Sequence, residues 1–220
     1  MSKTSVRQRI VATAIALFEE KGYDAVTVEE IARRADVGRT TLFRHFGSKE
    51  HLVFPDHDAL LADAEAKLTA ATHRTAFATV IGCARMVFAH YLSEGEIAQA
   101  RYRLTSTVPE LRDREVASIS QYTRLFTRHL LAHQPGGANA ALEAEILAAT
   151  VVTAHNYVLR RWLRAETITP VDDFSRAMDT ATGMLQTTSQ KRTAIIVLET
   201  EESLDALLPR IEQIAKGSAR

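Results

Sequence analysis

The chain has 220 residues and balances 27 Lys/Arg against 27 Asp/Glu. That length can bury a sizeable core in one or two domains, and the zero net charge excludes a protein that coats nucleic acid by bulk charge alone. A single cysteine, Cys83, excludes an intrachain disulfide and suits a reducing compartment.

In chain order, the first strong signals lie between Phe18 and Leu52. Thr27-Val-Glu-Glu30 has the spacing of a capping box, so a helix should open at Val28 with Val28, Ile31, Ala32 and Ala35 as its apolar stripe. Asp36-Val37-Gly38 interrupts it, with Gly38 expected to take the turn's unusual backbone angles. The next helix should run from Arg39 to about Phe46. Leu42 and Phe46 then face inward, and Arg39, Thr40, Thr41, Phe43, Arg44 and His45 remain for solvent or DNA. Gly47 stops this helix, and Ser48 is a suitable N-cap for one starting at Lys49. Two short helices joined by a tight turn, the second cationic and rich in hydroxyls, form a hook that reads the major groove. Charge adds little to that reading: residues 1–52 carry nine Lys/Arg and seven Asp/Glu.

Beyond the hook, a 3.6-residue apolar period persists almost throughout. It predicts a connector from Lys49 to about His73, kinked at Pro55, then helices over Ala76–Leu92, Glu96–Ser106, Pro109–His133, Ala138–Glu166 and Val171–Thr187. Thr193–Leu198 is a short β-branched run that favours a strand, followed by an amphipathic helix carrying Leu204, Leu207, Leu208, Ile211 and Ile214. A lone strand needs a partner, across a dimer or within one protomer. The pair from Ala138 to Thr187 is the expected dimer interface. Small residues (Ala140, Ala141, Ala144, Ala148, Ala149, Ala154) line its first member, and Phe174, Ala177, Met178, Ala181, Met184 and Leu185 line its second.

The middle helices should enclose a ligand cavity. Its candidate wall is Met86, Phe88, Tyr91, Tyr102, Leu104, Tyr122, Phe126, His155, Tyr157 and Trp162, with Tyr91, Tyr102, His155 and Asn156 as orienting polar groups. Ordinary core packing is the competing reading for each aromatic. Arg101 and Arg103 could meet an anionic ligand, although solvated surface is the simpler expectation. Asp56-His57-Asp58 diverge by about 100 degrees per residue on a helix and cannot converge on one metal ion alone. Cys83 reads as a small buried hydrophobe. Neither a nucleophile elbow, a phosphate loop nor a dinucleotide fingerprint is present, so an enzyme and a bound cofactor are not expected. With no signal peptide and no long apolar span, the expected location is the cytoplasm, away from membranes.

The run GYDAVTVEEIARRADVGRTTLFRHFGSKEHL, residues 22–52, resembles the DNA-binding domain of the TetR family of transcriptional regulators. The matching features are Gly-Tyr after the first helix, Thr-Val opening the second, the Ala-x-x-Ala-x-Val-Gly turn, Thr-Leu-aromatic-x-His-Phe and the closing Ser-Lys-Glu. The resemblance implies an all-α protein. A three-helix DNA-binding domain (1–52) would precede a larger effector-binding and dimerisation domain (53–220), with the C-terminal strand as a possible addition. It further implies a homodimeric repressor that binds a palindromic operator and is released by a small, largely apolar effector, with Thr27 and Lys49 joining the recognition helix on DNA. Phe43 stands where the family usually has a phosphate-binding Tyr, and is suited instead to a thymine methyl. The alternative is an adaptor that uses the hook for protein contact. A sizeable closed cavity in the second domain favours the regulator, and a filled core favours the adaptor.

Overall fold

A computed structural model of the protein describes residues 5–54, 56–72, 75–133 and 136–188. Ten helices occur among them: α1 (Val6–Lys21), α2 (Val28–Arg34), α3 (Arg39–His45), α4 (Glu50–Val53), α5 (His57–Thr69), α6 (Ala76–Glu94), α7 (Glu96–Thr107), α8 (Pro109–Ala132), α9 (Ala140–Leu163) and α10 (Pro170–Thr188). The described residues contain no strand. The expected strand at 193–198 and the helix after it lie outside them.

Two apolar clusters organise the fold. The first joins Ile10, Ala14, Leu17 and Phe18 of α1 to Ile31, Ala32, Leu42 and Phe46 of the hook, and it continues into Ala100 and Leu104 of α7 and Leu111 of α8. Leu104 is therefore a hook-supporting residue and not cavity wall, because α7 turns that face toward α1. The second cluster holds α5, α6, α8, α9 and α10 together around Val80, Phe88, Phe126, Val151, Val158 and Phe174. Helix α7 thus touches both cores, so a shift of the second body is felt at the hook.

Local chemistry explains the hook, with three departures from expectation. Thr27 Oγ1 accepts from the Glu30 backbone N–H at 3.2 Å, as a cap should. The Glu30 carboxylate, however, takes Lys21 Nζ at 2.5 Å, tying α2 to α1 instead of closing the box. The reciprocal box is found at the start of α1, where Ser5 and Gln8 cap each other. Within the turn, Gly38 has an ordinary extended φ of −69°, and Asp36 at φ 53° takes the left-handed conformation. Aspartate tolerates that region better than most residues. Finally, the expected connector is broken into α4 and α5: the chain leaves the helix at Phe54 and re-enters at His57. Proline at 55 has no N–H with which to continue the first of them. Thr27→Ala should cost about 1 kcal/mol of stability through the lost cap, measurable by urea denaturation, while leaving the oligomeric state on a sizing column unchanged.

Helix α6 corrects a further expectation. Its 19 residues are long and apolar enough to cross a membrane by length and composition. In this fold its apolar side, including Val80, Cys83, Ala84 and Phe88, packs against the neighbouring helices. The stripe expected to form the dimer face of α10 is likewise spent internally: Phe174, Met178 and Ala181 are buried in the protomer's own core. On α9, Ala144 and Ala148 also point inward, while Ala141 and Ala149 are exposed. Leu142, Ile146 and Tyr157 stand out from the same outer side of α9, at 58%, 47% and 56% exposure.

Candidate DNA interface and ligand cavity

Helix α3 displays the residues expected to meet DNA. Leu42 and Phe46 anchor it in the core, and Thr40, Phe43, Arg44 and His45 are exposed with Thr41 half-buried. Arg39 lies over the Phe43 ring at 5.4 Å and pairs with Glu29 at 3.1 Å. An exposed pair of this kind contributes at most about 1 kcal/mol, so the guanidinium can exchange its carboxylate for a phosphate at small cost. Arg44 has no ion-pair or hydrogen-bond partner among the described residues, leaving its five donors available.

Lys49 is placed differently. Its ammonium donates to the Tyr23 backbone carbonyl and lies 4.2 Å from the Tyr23 ring centroid and 5.6 Å from that of Phe18. Partial burial lowers its pKa. Lys49 therefore pins the start of α4 onto the end of α1, a role that sequence position alone did not reveal. The expected Ser48 cap is not found: α4 begins at Glu50 with Lys49 at the N-cap position and no side-chain cap bond, and Ser48 Oγ, one residue earlier, accepts from the His51 N–H at 3.4 Å.

Between α5, α6, α8 and α9 lies a cavity of about 80 Å³ that opens to solvent. Tyr91, Tyr122, Phe126, His155 and Asn156 line it, as expected. The other candidates do not. Phe88 is buried behind His155, stacking on Phe174 at 4.8 Å. Met86 and Trp162 pack against the core surface. Tyr102 accepts a hydrogen bond from Arg164 at 2.9 Å, and Tyr157 is exposed beneath Arg161. Helical period reports which side of a helix is buried, but not whether a helix or a void lies opposite.

The mouth of the cavity is charged, which the sequence reading missed. Arg7 of α1 pairs with Asp56 at 2.5 Å, and Arg101 grips Glu94 with two donors at 2.8 and 2.5 Å. His90 Nε2 sits between them, 3.7 Å from each carboxylate. The only advance signal was the His90/Glu94 spacing of four on one helix face. Asp56, His90 and Glu94 each place a ligand-type atom within 4.8 Å of the others. Both carboxylates are already neutralised by guanidinium groups, so the arrangement is complete as an ion-pair chain. The adjacent His57 turns elsewhere, to Gln121 at 2.7 Å and Ser118 at 3.0 Å. Arg103 is also committed, bonding Glu19 at 2.8 Å through Nε. Both guanidinium groups considered for an anionic ligand are thus ion-paired, Arg101 keeping only Nε as an unpaired donor.

Deep in the cavity, burial pushes His155 down to about 4, against the opposing pull of Asn156. Burial also raises Tyr91 and Tyr122. A histidine held neutral in the fold but free to protonate when unfolded favours unfolding as pH falls from about 6.5 toward 4. Above that window the group is neutral in both states and contributes no pH dependence. Replacing His155 with Phe should remove up to about 3 kcal/mol of acid sensitivity between these limits. Urea melts of parent and variant at pH 7.5 and 4.5 check it, and parallel losses in both proteins would refute it.

Comparison with known proteins agrees with this geometry. Residues 10–54 match the family model described as bacterial regulatory proteins, tetR family. A Mycobacterium tuberculosis protein named for regulation of mycofactocin biosynthesis, MftR, is 25% identical over 80% of this chain and 89% of its own. The Staphylococcus aureus negative transcriptional regulator IcaR of the biofilm icaADBC operon is 38% identical over 47 residues, 21% of this chain and 25% of IcaR. Among solved structures, the SmeT–triclosan complex superposes with a TM-score of 0.53 at 19% identity, covering 90% of this chain and 99% of SmeT. Residues 10–54 thus match the DNA-binding domain of tetR-family regulatory proteins, and the rest of the chain shares the helical fold of the SmeT structure.

Proposed function

We propose that the protein is a homodimeric repressor that binds a palindromic operator through α3 and releases it when a small, largely apolar molecule fills the cavity. The observation that carries this reading is the connection between sites. The cavity mouth holds Asp56, which pairs with Arg7 of α1, the helix packed against the hook, while α7 packs on both cores. A ligand that displaces the mouth residues therefore acts on α1 directly, and coupling of about 1–3 kcal/mol needs only a modest difference in hook position between the two states. The negative regulator IcaR and the triclosan-bound SmeT support repression and ligand response as the sense of the switch. The cavity, although open at its mouth and not closed, supports a regulator over an adaptor, whose second domain would need no void.

Dimerisation would proceed through the outer side of α9. Leu142, Ile146, Ala149, Thr153 and Tyr157 fall on one helical stripe, and three of them are large exposed apolar residues. A monomer would present one short recognition helix, too few contacts for tight operator binding. The site of action is the cytoplasm, with the chromosome. A thermal-shift screen of apolar metabolites, followed by fluorescence anisotropy on the operator, tests the switch: compounds that stabilise the protein should also lower operator affinity. Stabilising compounds that leave operator affinity untouched would count against it.

A further inference from the structure

Four buried side-chain polar atoms lack a hydrogen-bond partner among the described residues, and three of them, on Arg101, Tyr122 and His155, belong to residues lining this one cavity. Unsatisfied buried groups are costly and uncommon, so their concentration around one cavity, on α7, α8 and α9, marks what an occupant must supply. His155 fixes the most specific demand. Its Nδ1 lies 3.1 Å from Asn156 Oδ1, an atom that can only accept, so the ring proton sits on Nδ1 and Nε2 is left as an acceptor. Phe88 and Phe174 meet the imidazole at 80° and 87°, holding it against rotation. Nε2 therefore calls for a donor, while the Tyr122 hydroxyl can give a proton to an acceptor. The surrounding wall (Ala84, Val87, Phe126, Val152, Leu159) is apolar.

Charge narrows the choice further. The lining carries Asp56, Glu94 and Glu115 against Arg101, with Arg7 balancing Asp56 from α1. Glu115 has no ion-pair partner among the described residues. A carboxylate or phosphate entering this site would meet net negative charge, and the one cation of the lining, Arg101, is already held by Glu94 through two nitrogens with only Nε unpaired.

We infer that the cavity takes a neutral, largely apolar alcohol or phenol, whose O–H donates to His155 Nε2 and whose oxygen accepts from the Tyr122 hydroxyl. This inference rests on the reading of the cavity as the effector site and names the chemistry of the effector. One hydroxyl group meets both demands, whereas an ether or a carboxylate meets only that of Tyr122, and the carboxylate also opposes the field of the acidic lining.

Isothermal titration calorimetry of the full chain at pH 7 with 2-naphthol, 2-methoxynaphthalene and 2-naphthoate tests it. The naphthol should bind at least tenfold tighter than the methyl ether, the scale on which a lost hydrogen bond to a buried acceptor is felt, and the naphthoate should bind weakest. His155→Phe should erase the difference between naphthol and ether. Tyr122→Phe, which removes a hydroxyl with no internal partner, should weaken both, and it provides the test if His155→Phe fails to fold. Equal affinities for naphthol and ether, preference for naphthoate, or binding of none of the three would overturn the proposal, water then being what satisfies these atoms. Selective naphthol binding without change in operator affinity would leave the hydroxyl site standing and refute the regulatory reading instead.

Discussion

Replacing Ile146 with glutamate on the outer side of α9 should convert the protein to monomers and lower operator affinity by about a hundredfold or more. Ile146 is 47% exposed between Leu142 and Tyr157, so a charge there costs the isolated protomer little, roughly within 0.5 kcal/mol. Across a two-fold interface the same glutamate would be desolvated opposite its own copy or the apolar stripe around it. Once the hooks are unlinked, the second half-site no longer benefits from an effective concentration that raises avidity by about 10²–10⁴. Light scattering should report the mass of one chain, thermal melts should match the parent, and anisotropy on the operator should show the loss. A variant that remains dimeric with unchanged affinity would remove α9 from the interface.

Arg44→Ala should cost roughly 1–3 kcal/mol of operator binding and relax preference at one base position. Arg44 projects from α3 without a partner among the described residues, so its removal leaves the hook's packing untouched. Arginine spans the two acceptors of guanine in the major groove, which gives the loss its positional character. Lys49→Ala provides the contrast. Because Lys49 joins α4 to Tyr23 and Phe18, its loss should lower the melting temperature and weaken every operator alike. Gel-shift titrations against single-base operator variants separate the two, and equal relaxation of specificity in both would refute this division.

The hook was legible in sequence because its determinants are local. Thr27 caps three residues ahead, Leu42 and Phe46 face the core at a spacing of four, and Arg44 falls on the opposite side. Even there, long-range partners escaped: Glu30 reaches back to Lys21, and Lys49 to Tyr23. Cavity and interface depended on how helices cross. Phe88 and His155 are alike in pattern, yet Phe88 is enclosed by Phe174 while His155 borders the void. The apolar stripe of α10 faces its own core because α6 lies against it through Phe88, a neighbour no local period announces. The ion-pair chain at the cavity mouth joins residues 7, 56, 90, 94 and 101, and its separations in sequence hid it.

Selection of binding sites by the purified protein from a pool of random DNA duplexes tests the central claim most directly. The enriched sequence should be a palindrome with half-sites about one helical turn, or a little more, apart. Two chains should bind per duplex, and with Arg44→Ala the enriched palindrome should lose its preference at one position of each half-site. Recovery of no preferred sequence, or of a single unpaired half-site bound by one chain, would contradict the account.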